Sequence, residues 1–100
     1  REPLLRAALE ELQNSLGPSH PQTLAGCSGL GALLQAMGEY DEAAALRRRV
    51  LEGRRARLGR KHPDTVVALH ALAGLLRTMG RDAEADLLIR ADQDALLDVQ

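Results

Sequence analysis

LGPSHPQTL at residues 16–24 returns as LGRKHPDTV at residues 58–66, a displacement of 42 residues. Extending that register to 16–57 against 58–99 gives 14 identities: Leu16, Gly17, His20, Pro21, Thr23, Leu30, Leu33, Leu34, Met37, Gly38, Glu42, Ala43, Leu46 and Arg48, each with its partner 42 residues on. Leu4, Arg6, Leu9 and Glu10 match Leu46, Arg48, Leu51 and Glu52 in the same frame. The chain is therefore about two and a half copies of one unit. A fixed period of this size marks a stacked-repeat architecture.

Each unit reads as two helices. Pro21 and Pro63 suit a first helical turn, where the missing N–H has no intrahelical partner to lose. Leu30, Leu33, Leu34 and Met37, with Leu72, Leu75, Leu76 and Met79, keep the three–four spacing of one buried face. Gly38 and Gly80 follow, and glycine there closes a helix by turning left-handed. Gly17 and Gly59 are expected to end the preceding second helices in the same way. Second helices start near Asp41 and Asp82, with acidic residues (Asp41, Glu42, Asp82, Glu84) complementing the positive helix end. Five helices result, near 3–14, 21–37, 40–57, 63–79 and 82–98.

Composition agrees. The 100 residues include 20 Leu and 16 Ala, against four Val, one Ile, three Thr and a single aromatic, Tyr40. Ala and Leu lose little side-chain freedom in helices, whereas strands favour branched and aromatic residues. The expected fold is all-α, a helical-hairpin solenoid forming one domain over 1–100. Residues 1–15 are the second helix of a partial unit, 16–57 a complete unit and 58–100 a terminal one. Each helix pair buries its apolar side on the next.

The stretch from Leu30-Gly31 to Leu34, continuing as QAMGEYDEAAALRRRVLE at 35–52, resembles a tetratricopeptide repeat. In that family a small residue on the first helix meets one on the second at closest approach; Gly31 with Ala43 and Ala73 with Ala85 hold those places. The 42-residue period exceeds the usual period of about 34, and is similar to the variant in kinesin light chains and nephrocystin-3. Kinesin light chains carry an asparagine pair before the Leu-Ala of the first helix, where Ser28-Gly29 and His70-Ala71 stand here. The resemblance implies a scaffold holding a protein or peptide in a concave groove. Its lining would be Ala25, Ser28, Ala32, Gln35 and Ala36 from one unit, then Val67, His70, Gly74, Arg77 and Thr78 from the next.

The last unit departs from the pattern. Asp82 stands where the preceding unit has Tyr40, and Asp92 and Gln93 replace Val50 and Leu51. An unpaired carboxylate is costly to bury, so Asp92 is expected to face water and to mark the end of the array. Leu4, Leu5, Leu9 and Leu12 have no cap before them. They point to a fragment of a longer array or to a homo-oligomer formed through this end.

Net charge is −1, unevenly spread: residues 47–61 sum to +7, and the segments on either side to −4 each. Arg47, Arg48, Arg54, Arg55 and Arg57 form a candidate basic patch for an acidic partner, against the plainer reading of a solvated helix face. Arg47 stands apart, since its counterpart is Ile89; its stem is expected along the core edge with the guanidinium in water. With one aromatic, nucleic acid is disfavoured as a partner.

His20 and His62 precede the helix-starting prolines and suit hydrogen bonding at the helix start better than metal ligation. Equivalent positions on stacked units lie about 8–10 Å apart, while zinc needs ligands near ~2 Å. Cys27 falls on the apolar side of its helix, as a small buried hydrophobe. No nucleophile–base pair is visible, no disulfide framework is open to one cysteine, and no apolar run reaches a membrane span of about 18 residues. A non-enzymatic, cytoplasmic interaction module without cofactor or metal is the expectation.

Overall fold

Gly17, Gly38, Gly59 and Gly80 have positive φ (96°, 83°, 88° and 81°) and divide the chain into its helices. A computed structural model describes residues 2–17 and 20–98, with side chains for 6–17 and 20–92. Its elements are α1 (Glu2–Leu16), α2 (Pro21–Ala36), α3 (Tyr40–Leu58), α4 (Pro63–Thr78) and α5 (Asp82–Asp98). The described residues contain no strand. The predicted all-α fold is the one observed, with helix ends within two residues of those expected.

The two kinds of helix end differ. At Gly38 the chain closes on itself, with Glu39 N–H donating to the Leu34 carbonyl at 2.8 Å and Gly38 N–H to Gln35 at 3.1 Å. Arg81 to Leu76 and Gly80 to Arg77 repeat this arrangement. It reverses the chain tightly into the second helix. Gly59 instead combines φ 88° with ψ 163°, a region essentially only glycine occupies. There the chain leaves α3 extended and runs to His62, whose N–H reaches back to the Gly59 carbonyl at 3.4 Å; His20 does the same to Gly17. Gly17 and Gly59 end their helices with positive φ as expected, but Gly59 does so with an extended ψ that leads the chain on rather than turning it back.

His20 and His62 are the N-caps. Each Nδ1 accepts a backbone N–H two residues on, from Gln22 and Asp64, at 3.1 Å. This satisfies one of the donors a helix start leaves open.

Helices pack on their neighbours in sequence, α1 on α2, α2 on α3, α3 on α4 and α4 on α5. One apolar cluster runs through all five, including Leu9, Leu30, Leu34, Leu51, Leu72, Leu76 and Ala85. Gly31 lies against α3, where an added Cβ would stand 3.7 Å from the Ala43 carbonyl oxygen, the close approach expected of this pair. Truncating fully buried Leu72 to Ala should cost about 2–5 kcal/mol. Leu9 is buried and Leu12 half-buried, both reaching α2 beside Gly26. They are spent inside the fold rather than left uncapped. Leu4, Leu5 and Gln93 fall outside the residues whose side chains are described.

Asp92 does not face water. It is only 3% exposed and its carboxylate accepts from Arg55 of α3 and Arg60 of the following linker. Contrary to the expectation, it keeps the inward face that Val50 has one repeat earlier. The charge is tolerated because two guanidiniums reach it, and a paired buried charge escapes most of the penalty of an isolated one.

Candidate functional site

Arg47, Val50 and Arg54 recur every three to four residues along α3, so they share one stripe of that helix. The stripe lies at the seam between α2 and α4. Toward the helix C-termini it borders a depression of about 380 Å³ lined by Ala32, Gln35, Ala36, Tyr40, Arg47 and Thr78. A smaller one, about 70 Å³, follows between Ser28, Val67 and Ala71, over Arg47 and Arg54. Arg47 belongs to both, so together they form one groove with α2 and α4 as walls and α3 as floor.

Arg47 is half-buried, and its Nε donates to Gln35 Oε1 at 3.1 Å. Loss of water around the guanidinium lowers its pKa, although an arginine keeps its charge regardless. The stem follows the core edge as expected, its Cγ close to Gly31, but the guanidinium is drawn from open water: with small residues at 28, 32 and 36 on α2, it rises into the groove and fixes the Gln35 amide.

Of the predicted groove residues, Ser28, Ala32, Gln35, Ala36, Val67 and Thr78 come together here, while Ala25 lines neither depression. His70, Gly74 and Arg77 are exposed on α4 but line neither depression. Arg77 turns to α5 instead and donates to Asp86 at 3.0 Å. The Thr78 hydroxyl is occupied by the Gly74 carbonyl of its own helix, at 3.1 Å.

The basic block does not form one patch. Successive helical residues point in different directions at 3.6 per turn, and the arginines disperse. Arg48 pairs with Glu84 at 2.9 Å, Arg49 donates to Gln13 at 2.6 Å, and Arg55 and Arg60 are held by Asp92. Arg54 and Arg57 remain, and both line a further cleft at the N-terminal ends of α2 and α4.

One relationship was overlooked in the sequence. Arg6 pairs with Glu42, and Arg48 with Glu84, the same contact one repeat later. All four residues are matched in the 42-residue register, so a recurring charge pair was there to be found. The hydrogen bond from Arg6 lowers the Glu42 carboxyl pKa below the ordinary value; desolvation opposes it less strongly, and the Arg6 charge adds a smaller lowering. Cys27 is fully buried, and burial pushes its thiol pKa up against a lesser pull from Arg49. This suppresses the reactive thiolate. Among the described residues no three His, Cys, Asp or Glu side chains gather as a metal site, and no helix is long and apolar enough to cross a membrane.

No curated protein matches the chain in sequence. The family profile described as tetratricopeptide repeat matches residues 27–90, beginning inside α2 and ending inside α5. That span takes in both pairs of small residues at the helix contacts, Gly31 with Ala43 and Ala73 with Ala85, and the whole of α3 and α4. With more than half of its length matched and its helices paired in the repeat's register, the chain belongs to the tetratricopeptide repeat family.

Proposed function

We propose that this chain is a non-enzymatic scaffold that holds a peptide segment of a partner protein in the groove between α2 and α4. Tetratricopeptide repeats are interaction modules as a family. The observation that carries the narrower reading is the groove itself, walled by the small side chains of Ser28, Ala32, Ala36 and Ala71. Small walls let a partner backbone come close, while Gln35, steadied by Arg47, offers an amide for a main-chain hydrogen bond. The long period supports reading the repeat as similar to the kinesin-light-chain and nephrocystin-3 variety. A single cysteine, buried and unpaired, suits work in the reducing cytoplasm.

A peptide array identifies binders, and the best is titrated against Ala32→Glu/Ala36→Glu, two exposed positions. The expected loss is about tenfold or more, the scale of a disrupted contact centre. His70→Ala/Arg77→Ala should change affinity far less. Unchanged binding by Ala32→Glu/Ala36→Glu would move the site away from this groove.

A further inference from the structure

At the N-terminal ends of α2 and α4, a cleft of about 280 Å³ has Leu24, Leu58 and Pro21 on its apolar side and Arg54 and Arg57 on its charged side. Arg54 also borders the groove, so the cleft is the groove's far end. Arg54 and Arg57 make no ion pair or hydrogen bond among the described residues, whereas Arg48, Arg55 and Arg60 are each held by a carboxylate. His62 also lines the cleft. Because its Nδ1 accepts from Asp64 N–H, the neutral ring carries its hydrogen on Nε2 and adds a donor. One carboxylate, Asp64, is present, which leaves the lining positive.

From this we infer that the cleft is the anchoring end of the groove and takes one leucine-sized apolar side chain of an acidic peptide, with carboxylates flanking that side chain on Arg54 and Arg57. The inference rests on the groove reading and adds the chemistry and register of the segment. Charge complementarity names the partner: arginines without counter-ions bind carboxylates in forked geometry, and an apolar floor beside them rewards an aliphatic group. The 16 residues of α2 make a track of ~24 Å at about 1.5 Å each. An extended segment of about seven residues covers that length at ~3.3 Å each. Nucleic acid is the weaker candidate, because the block's other arginines are already engaged and no aromatic lines the cleft.

The test is fluorescence anisotropy with a labelled synthetic peptide of about eight residues, one leucine set among glutamates. Arg54→Gln/Arg57→Gln, which removes charge while sparing most of the side-chain volume, should weaken binding about tenfold or more. Replacing the peptide leucine by alanine should weaken it similarly, and a lysine-for-glutamate peptide should not bind. Circular dichroism of the variant checks that the helices persist. Binding that survives Arg54→Gln/Arg57→Gln but is lost in Ala32→Glu/Ala36→Glu overturns the anchoring site and leaves the groove standing. The reverse pattern supports the cleft and removes the groove. A single-stranded RNA that binds more tightly than the acidic peptide, and loses affinity in Arg54→Gln/Arg57→Gln, overturns the peptide assignment.

Discussion

Asp92 of α5 and Arg55 of α3 form the most enclosed ion pair among the described residues, with side chains 5% and 23% exposed. Arg60, 43% exposed, is the second partner of the same carboxylate. The order of exposure decides which loss matters. Either arginine can be compensated by the other, but the carboxylate has no route to water. Arg55→Met/Arg60→Met should destabilise the protein by about 3–5 kcal/mol, the scale of a stranded buried charge. Adding Asp92→Val, the residue type that Val50 supplies one repeat earlier, should restore most of it. Urea unfolding of wild type and the two variants reads this out; a triple variant no more stable than the double would refute the pairing.

Thr23 and Thr65 are equivalent, both fully buried, yet only one hydroxyl is satisfied. Thr23 Oγ1 donates to the Leu12 carbonyl at 3.3 Å, while Thr65 Oγ1 has no partner. Thr23→Val should therefore cost about 1 kcal/mol, and Thr65→Val should be neutral or stabilise by up to ~1 kcal/mol, since an orphan hydroxyl contributes nothing against its desolvation. Equal effects in denaturant titrations would show that the two sites do not differ.

Gly74 and Gly53 are both within helices but stand in opposite surroundings. Nothing lies within 4 Å of a Cβ built on Gly74, whereas one on Gly53 would meet Leu24 Cδ2 at 2.8 Å. Gly74→Ala should raise stability by about 0.5–1 kcal/mol through helix propensity alone. Gly53→Ala should give less, because Leu24 has to move first. Thermal melts of the two variants rank them directly.

The pair Arg6–Glu42 predicts a pH effect. Glu42 has a folded pKa below its ordinary 4.5, first because Arg6 hydrogen-bonds to it. A depressed carboxyl stabilises the fold above its unfolded pKa, and that contribution fades as pH falls through the folded value. Glu42→Gln should thus be less stable than wild type at neutral pH, with the gap closing on acidification below 4.5. A gap that stays constant into acid would argue against the ion pair.

The helices were legible because their boundaries depend on local chemistry. Proline after histidine starts α2 and α4, and glycine at Gly38 and Gly80 ends them. The apolar period assigned faces correctly except at Asp92, which was expected in water and instead keeps the inward face that Val50 has one repeat earlier. What it did not carry was the reach of long side chains between helices. Arg55 and Arg60 arrive at Asp92 from more than 30 residues away, and no spacing rule marks that meeting. The same applies to the basic block, contiguous in the chain but distributed by the turn of α3 among Gln35, Glu84, Gln13 and Asp92. The groove was half legible: small residues on α2 showed one wall, while the Arg47 floor depended on which stripe of α3 the neighbouring helices leave open.

The twin contacts Arg6–Glu42 and Arg48–Glu84 share a sense of direction. In both, the arginine sits on the earlier of two alternate helices and the glutamate on the later. Such a joint is head-to-tail, and a symmetric face-to-face pairing of two identical ends would set arginine against arginine. Contacts of this kind extend without closing. Arg90, 42 residues beyond Arg48 and exposed on α5, holds the corresponding place in the last unit. The repeat therefore carries a polarity along the described helices: in both contacts the cation comes from the earlier helix and the anion from the later.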